Sequence, residues 1–327
     1  MSTGDDDGPL RAVALGGGHG LQATLAALRR ITPDVTAVVT VADDGGSSGR
    51  LRRELGMLPP GDLRKALAAL AAEDDDGRLW STLFEHRFGG NGALAGHAIG
   101  NLVLAGLLDV LGDPVAVLDH ACRLLGVRGR VLPMSTRPLD MEADVVGLDS
   151  DPDAVRTIRG QVAIASTPGR VKQVRLDAIG ADHPGACPEA VRAVRDADLV
   201  LLGPGSWFTS VLPHLLVPDL HEALVTTRAR RFVVLNLVPQ PGETAGFSPE
   251  QHLDVLSQHA PRLRVDAVLA DAGSVPTPDR LRAAATGLGA QTLLDRVADP
   301  ALPGRHDPEA LAASLRAALE GRTDRWR

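Results

Sequence analysis

Val38-Val39-Thr40-Val41-Ala42-Asp43-Asp44-Gly45-Gly46-Ser47-Ser48-Gly49-Arg50 is the stretch whose reading decides the fold. An apolar, β-branched run stops abruptly at two carboxylates, two glycines, two hydroxyls, a third glycine and an arginine. Strand-forming residues fill the first half, and the second half cannot continue a strand. The pattern predicts a buried strand delivering a flexible polar loop to a sheet edge. In open α/β sheets, ligands bind beyond the carboxyl ends of the strands. Asp43 and Asp44 are therefore candidates to hold a divalent metal or a sugar hydroxyl. Gly45, Gly46 and Gly49 allow close backbone approach, and Ser47, Ser48 and Arg50 suit a phosphate. A solvated turn is the plain alternative, since Asp-Gly and Gly-Ser often mark one.

Upstream, residues 11–15 read as a short buried strand, followed by Gly16-Gly17-Gly18-His19-Gly20 and an amphipathic helix over 21–30. Strand, glycine loop and helix make a phosphate-binding arrangement, because bare amides and a helix N-terminus both attract an anion. The spacing is not G-x-G-x-x-G, and no Walker lysine follows. A strand over 35–42 completes a βαβ unit, so two glycine-rich loops leave neighbouring parallel strands at the same edge. A glycine turn with no ligand is the rival reading of the first loop.

Downstream, the turn Leu58-Pro59-Pro60-Gly61 precedes Asp62, a candidate cap for a helix over 63–72. Arg64 and Lys65 then fall in a first turn, where cations oppose the helix dipole, so they read as ligand or surface groups. The run Asp74-Asp75-Asp76-Gly77 ends that helix, and 79–88 forms another. His97 and Asn101 share a face of any helix containing both, either as ligand groups or as satisfied core polar groups. Residues 102–111 form the most apolar helix, and 114–125 a further one. From 139 to about 177 the pattern changes to alternation, which predicts antiparallel strands in an inserted or edge sheet. A helix over 187–196 and a buried strand over 198–202 lead to a third glycine- and hydroxyl-rich loop, Gly203-Pro204-Gly205-Ser206-Trp207-Phe208-Thr209-Ser210. An apolar strand over 232–237 is closed by Asn236 and the loop Pro239-Gln240-Pro241-Gly242-Glu243-Thr244. A helix over 249–259, a strand over 265–270 and a helix over 279–285 follow. Asp307 caps the last helix, with Pro308 in its first turn.

The fold class is α/β: a Rossmann-like, mostly parallel sheet with helices on both faces and a small inserted or edge β region. Residues 10–321 read as one unit, between a disordered acidic tail over 1–9 and a C-terminal tail over 322–327. A net charge of −7 argues against a general nucleic-acid-binding surface. Lys65 and Lys172 are the only lysines. Cys122 and Cys187 match no metal spacing and fit a reduced, cytoplasmic setting. No apolar stretch reaches membrane-spanning length.

The motifs GGGHGL, TVADDGGSSGRLR, LPPGDLRKAL, GHAIGNL, RGRVLP, LGPGSWFTSVLPHLLVP and NLVPQPGET occur in this order over nearly the whole chain. Together they resemble the gluconeogenesis-factor family, relatives of the 2-phospho-L-lactate transferases of deazaflavin cofactor synthesis. The resemblance implies binding of UDP-N-acetylglucosamine, a cytoplasmic location, homodimers, and a role in carbon metabolism linked to cell-wall growth and cell shape. By position it implies a phosphate loop at Gly16, Gly17, Gly18 and Gly20. His19 stands where many relatives carry threonine, so a hydroxyl contact becomes an imidazole contact or is lost. Asp43 and Asp44 resemble aspartates that the transferases use near metal and acceptor. Asn101 and the loop Gly203–Ser210, with Gly203, Gly205, Ser206 and Thr209, match other parts of the ligand cleft. Arg305 matches a C-terminal arginine that is able to clamp a diphosphate.

The expected function is a nucleotide-sugar-binding regulator acting through an unidentified protein partner, with no catalytic residue required. The alternative is a transferase in which magnesium held by Asp43 and Asp44 neutralises a leaving diphosphate. A NAD-dependent dehydrogenase is a third reading. The glycine spacing is wrong for it, and one acidic residue, not a long Asp-Asp-Gly-Gly loop, serves a NAD ribose.

Overall fold

The structure is a computed structural model that describes residues 8–178 and 184–321. Most of the tail expected over 1–9, and all of that over 322–327, lies outside the described residues. The first half of the chain runs β1 (Ala12–Gly16), α1 (Gly18–Leu28), β2 (Val35–Val39), α2 (Gly46–Leu55), α3 (Pro60–Leu70), α4 (Asp75–Glu85), α5 (Ile99–Leu111), α6 (Pro114–Leu124) and β3 (Arg130–Pro133). The inserted region is β4 (Leu139–Val146), β5 (Arg156–Arg159), α7 (Gln161–Ala165) and β6 (Arg170–Ala178). The second half runs α8 (Pro188–Asp196), β7 (Leu199–Leu202), α9 (Pro218–Thr226), β8 (Arg230–Val234), α10 (Pro249–His259), β9 (Ala267–Asp271), α11 (Pro278–Gly287), β10 (Gln291–Asp295) and α12 (Pro308–Leu319).

Seven strands form one parallel sheet in the order β10-β9-β8-β7-β1-β2-β3. β1 is buried along its whole length and pairs with β2 on one side and β7 on the other. The chain moves outward from β1 to β3, makes the insertion, then returns beside β1 at β7 and moves outward the other way. Strand order therefore reverses between β1 and β7, and such a reversal is where ligand crevices form at the carboxyl edge of an open α/β sheet. Valine, leucine and alanine fill the strands because helices cover both faces. A contiguous core extends from Ala12 to Ala318 and takes in the inserted sheet through Leu139, Met141, Ala143 and Ile164.

The insertion matches the alternating pattern: β4 lies between β5 and β6, antiparallel to both. Several local expectations are corrected. Ser47, Ser48 and Arg50 do not lie in a flexible loop, because α2 begins at Gly46 behind the extended cap Gly45. Ser47, Ser48, Gly49 and Leu51 are buried, so packing overrides the weak helix propensity of Gly-Ser-Ser-Gly. Asp62 is not the cap of α3; Pro59 is, and Asp62 sits in the first turn. Asp74 opens α4 instead of closing the preceding helix, accepting from the Gly77 amide at 2.8 Å. β8 stops at Val234, before Asn236. The sequence reading named neither α9 nor β10. Asp307 caps α12 as expected, accepting from the Glu309 amide at 2.8 Å. Among the described residues, no helix is long and apolar enough to cross a membrane.

Candidate functional site

The loops after β1 and β7 meet at the strand-order reversal. A Cβ on Gly20 would lie 2.2 Å from the Pro204 carbonyl oxygen and 2.6 Å from Gly205 Cα, so only glycine permits this approach. Gly205 adopts φ +143°. Its amide donates to Asn236 Oδ1 at 2.8 Å, and its carbonyl accepts from Asn236 Nδ2 at 2.9 Å. The Thr24 hydroxyl donates to the Gly203 carbonyl at 2.9 Å, tying α1 to the same loop.

Two cavities flank this junction. The first, of about 260 Å³, is lined by Gly17, Gly18, His19 and Gly20 after β1, Asp43 after β2, and Gly205, Ser206, Thr209 and Ser210 after β7. The second, of about 400 Å³, lies between α1, the segment after β8 and the segment before α12, with Asn236, Val238, Leu302 and Arg305 on its walls. His19, Gly20, Gly205 and Gln240 border both. The turns after β1 and β7 thus converge on one rim, joined by Asp43 after β2.

Asp43 faces the first cavity. Its Oδ1 accepts from the Gly45 amide at 2.9 Å. Burial raises its pKa, and nearby Asp62 adds to that, partly offset by hydrogen bonds from Gly45 and Ser48. Asp62 also lines the cavity and pairs with Lys65 at 3.0 Å. Burial lowers the His19 pKa, with Lys65 and then Arg305 adding to it, so the neutral imidazole is favoured there.

Asp44 faces elsewhere: its Oδ1 accepts from the Val162 amide at 2.9 Å, tethering α7 to the start of α2. Of the two, Asp43 lines the first cavity and Asp44 does not. The carboxylates that share the cavity are Asp43 and Asp62. Among the described residues, no cluster of three or more His, Cys, Asp or Glu side chains is placed to hold a metal.

Several other candidates lie behind the cavity walls. Ser47 Oγ is 3.0 Å from His97 Nδ1 and accepts from Asn101 Nδ2 at 3.0 Å. Asn101 Oδ1 accepts from Arg64 Nε at 3.1 Å, and Arg64, only 1% exposed, pairs with Glu85 at 2.6 Å. This buried chain holds α2, α3 and α5 together. Arg50 donates to the Ala95 carbonyl at 2.7 Å. Ser48 sits against Gly61, whose Cβ would lie 2.3 Å from Ser48 Oγ. Gly16 ends β1, Gly45 and Gly46 start α2, and Gly203 backs the β7 loop; none of these lines either cavity. Thr209 does line the first cavity, yet its amide and hydroxyl both donate to the Glu243 carboxylate.

Thr40, Asp62, Gln161 and Gln240 line the first cavity and Glu243 backs it, although none of them was expected there; Ser210, in the loop expected to join the cleft, does line it. Thr40 Oγ1 is buried in the cavity wall without a hydrogen-bond partner. Lys65 had one local signal, a cation in a helix first turn. Gln161 and Gln240 had none, since they reach the cleft from elements distant in the chain.

Residues 12–299 match the family described as 2-phospho-L-lactate transferase CofD. The chain is 63% identical over 306 residues to a Mycobacterium tuberculosis protein provisionally named gluconeogenesis factor, covering 93% of this chain and 88% of that one. The chain belongs to the gluconeogenesis-factor family. It is also 39% identical over 261 residues to the gluconeogenesis factor of Bacillus subtilis, covering 80% of this chain and 78% of that one. The crystal structure of a UPF0052-family protein from Bacillus halodurans superposes with a TM-score of 0.81 at 35% identity, covering 94% of this chain and 99% of that one. The family match runs from β1 to just past β10.

Proposed function

We propose that this member of the gluconeogenesis-factor family is a cytoplasmic regulator that binds a UDP-sugar, UDP-N-acetylglucosamine, across the carboxyl edge of the sheet. The observation that carries the reading is the pair of cavities joined at Gly20 and Gly205, one bearing carboxylates and the other Arg305. A nucleoside diphosphate joined to a sugar has the same division of chemistry. The sugar belongs with Asp43, Asp62 and Ser210, where carboxylates accept from hydroxyls. The diphosphate belongs at the waist, against the Gly17–Gly20 backbone, within reach of Arg305. The nucleoside belongs in the second cavity, where Asn236 and Gln22 offer amides beside Val238 and Leu302. Such a ligand held by several amides and one guanidinium reaches micromolar affinity, about −8 kcal/mol. Occupancy is passed to a protein partner, the chain self-associates as a homodimer, and the output is control of carbon flow and cell-wall growth.

Titration calorimetry with UDP-N-acetylglucosamine tests the reading. Saturable heat in the micromolar range, weaker with UDP-glucose or NAD, supports it. Folded protein giving no heat at millimolar ligand removes it.

One observation favours a second reading, a metal-dependent transferase. Asp43 and Asp62 share the cavity, and the buried Asp43 carboxyl is disfavoured in its charged form. A divalent cation would relieve that cost, so the donor set fits magnesium, which uses one or two carboxylates together with substrate oxygens. When bound, the ion would neutralise charge on a leaving diphosphate. Asp43 and Asp62 would hold it, and Lys65 would stay paired with Asp62. Turnover that depends on Mg²⁺ and an added acceptor would establish this reading over the first.

A further inference from the structure

Glu243 is 3% exposed. It lies in the turn after β8, yet its carboxylate reaches into the loop after β7. Glu243 Oε2 accepts from the Phe208 amide at 2.9 Å and the Thr209 amide at 3.3 Å. Its Oε1 accepts from the Thr209 hydroxyl. These donors belong to the π-turn Trp207–Val211, whose Thr209 and Ser210 line the first cavity. A buried carboxylate is costly unless donors surround it, and here they do.

The turn that presents Glu243 is itself fixed. The Thr244 hydroxyl accepts from the Gln240 amide at 2.8 Å, and the Gln240 side chain donates to Ser206 Oγ at 3.3 Å. Gly242 adopts φ +85°, and a Cβ there would lie 2.1 Å from the Ala165 carbonyl oxygen on α7. The turn is thus wedged between the inserted helix and the β7 loop.

We propose that Glu243 is a positioning residue for the ligand cleft: its carboxylate takes the Phe208 and Thr209 donors, presetting the β7 loop so that Gly205, Ser206 and Ser210 are aligned before ligand arrives. The assignment rests on the nucleotide-sugar reading for its effect on affinity, but not for the clamp itself. One consequence follows: the Phe208 and Thr209 amides are not available to a phosphate, so the diphosphate depends on the β1 loop.

The test uses the full chain. In ligand-free protein, Glu243→Gln is expected to keep the parent's circular dichroism and melting behaviour. Amide hydrogen exchange at Phe208 and Thr209 is expected to quicken at least tenfold, with the β1 and β2 amides unchanged. By calorimetry, UDP-N-acetylglucosamine affinity is expected to drop at least tenfold while UMP affinity holds, because the loss falls on the sugar cavity. A uniform structural defect would lower both equally. Glu243→Asp is expected to recover part of the sugar-nucleotide affinity. If Glu243→Gln does not fold, Thr209→Val, which removes one donor and leaves the carboxylate, is expected to shift the UDP-N-acetylglucosamine to UMP ratio in the same direction. Parent-like exchange at Phe208 and Thr209 in Glu243→Gln, or an unchanged ligand ratio in every variant that folds, overturns the proposal. A parent that binds no UDP-N-acetylglucosamine removes the functional reading instead, and the exchange measurement still decides the clamp.

Discussion

The side-chain amide of Asn236 satisfies both backbone groups of Gly205, accepting at 2.8 Å and donating at 2.9 Å, across a gap of 31 residues. This pair fixes the β7 loop against Gly20. Replacing Asn236 by Asp keeps the acceptor but turns a second oxygen toward the Gly205 carbonyl. Leaving a half-buried group unpaired costs about 1–3 kcal/mol. Denaturant melts are expected to show a loss of that size, and calorimetry at least tenfold weaker sugar-nucleotide binding. Unchanged affinity would mean that Gly205 does not shape the site.

Gly20→Ala is expected to be much more damaging than Gly18→Ala. The new Cβ at Gly20 would meet backbone at 2.2 Å, which cannot yield without moving the β7 loop. Gly18 has open space, and the only cost is its φ of +60°, worth about 1 kcal/mol. Thermal midpoints of the two variants compare them directly.

Arg305 is exposed, so Arg305→Ala is expected to leave the melting temperature unchanged. If the guanidinium meets the diphosphate, affinity for UDP-N-acetylglucosamine drops about tenfold or more, about 1.4 kcal/mol. Calorimetry of parent and variant at one salt concentration measures this.

Burial raises the Asp43 pKa, and Asp62 reinforces it. A raised carboxyl pKa means that its contribution to stability is present at low pH and lost as the group ionises. Asp43→Asn is therefore expected to melt higher than the parent at neutral pH without ligand. Millimolar Mg²⁺ is expected to raise the parent's melting temperature and leave the variant's unchanged. Equal shifts in both would exclude Asp43 as a metal ligand.

His214 is fully buried beside the Val38 carbonyl, with Nε2 at 3.1 Å from its oxygen. Burial pushes its pKa from 6.5 down to about 4. The unfolded chain gains a proton near the higher value and the folded chain near the lower, so stability falls as pH drops between them. The loss amounts to about 3 kcal/mol across that window. Burial lowers His252, His259 and His306 in the same direction. Denaturant melts at stepped pH are expected to show this slope, and His214→Gln to flatten it.

The sequence by itself determined the βαβ opening, the glycine turns at three strand ends, the antiparallel insertion and the Asp307 cap. Each rests on signals within a few residues: an apolar run ended by glycine, period-two alternation, or a carboxylate just before a proline. It did not determine that Ser47 and Ser48 would be helical, because that outcome depends on burial against α3 and α5. Only the tertiary structure decided which carboxylates share the cleft. Asp43 lines it and its chain neighbour Asp44 does not, while Asp62 joins from α3. Only the tertiary structure placed Glu243 on the Phe208 and Thr209 amides, since a hydrogen bond spanning 34 or 35 residues leaves no periodic trace in the sequence. Local patterns fix elements through backbone preference and burial, whereas a site is fixed by where side chains from several elements meet.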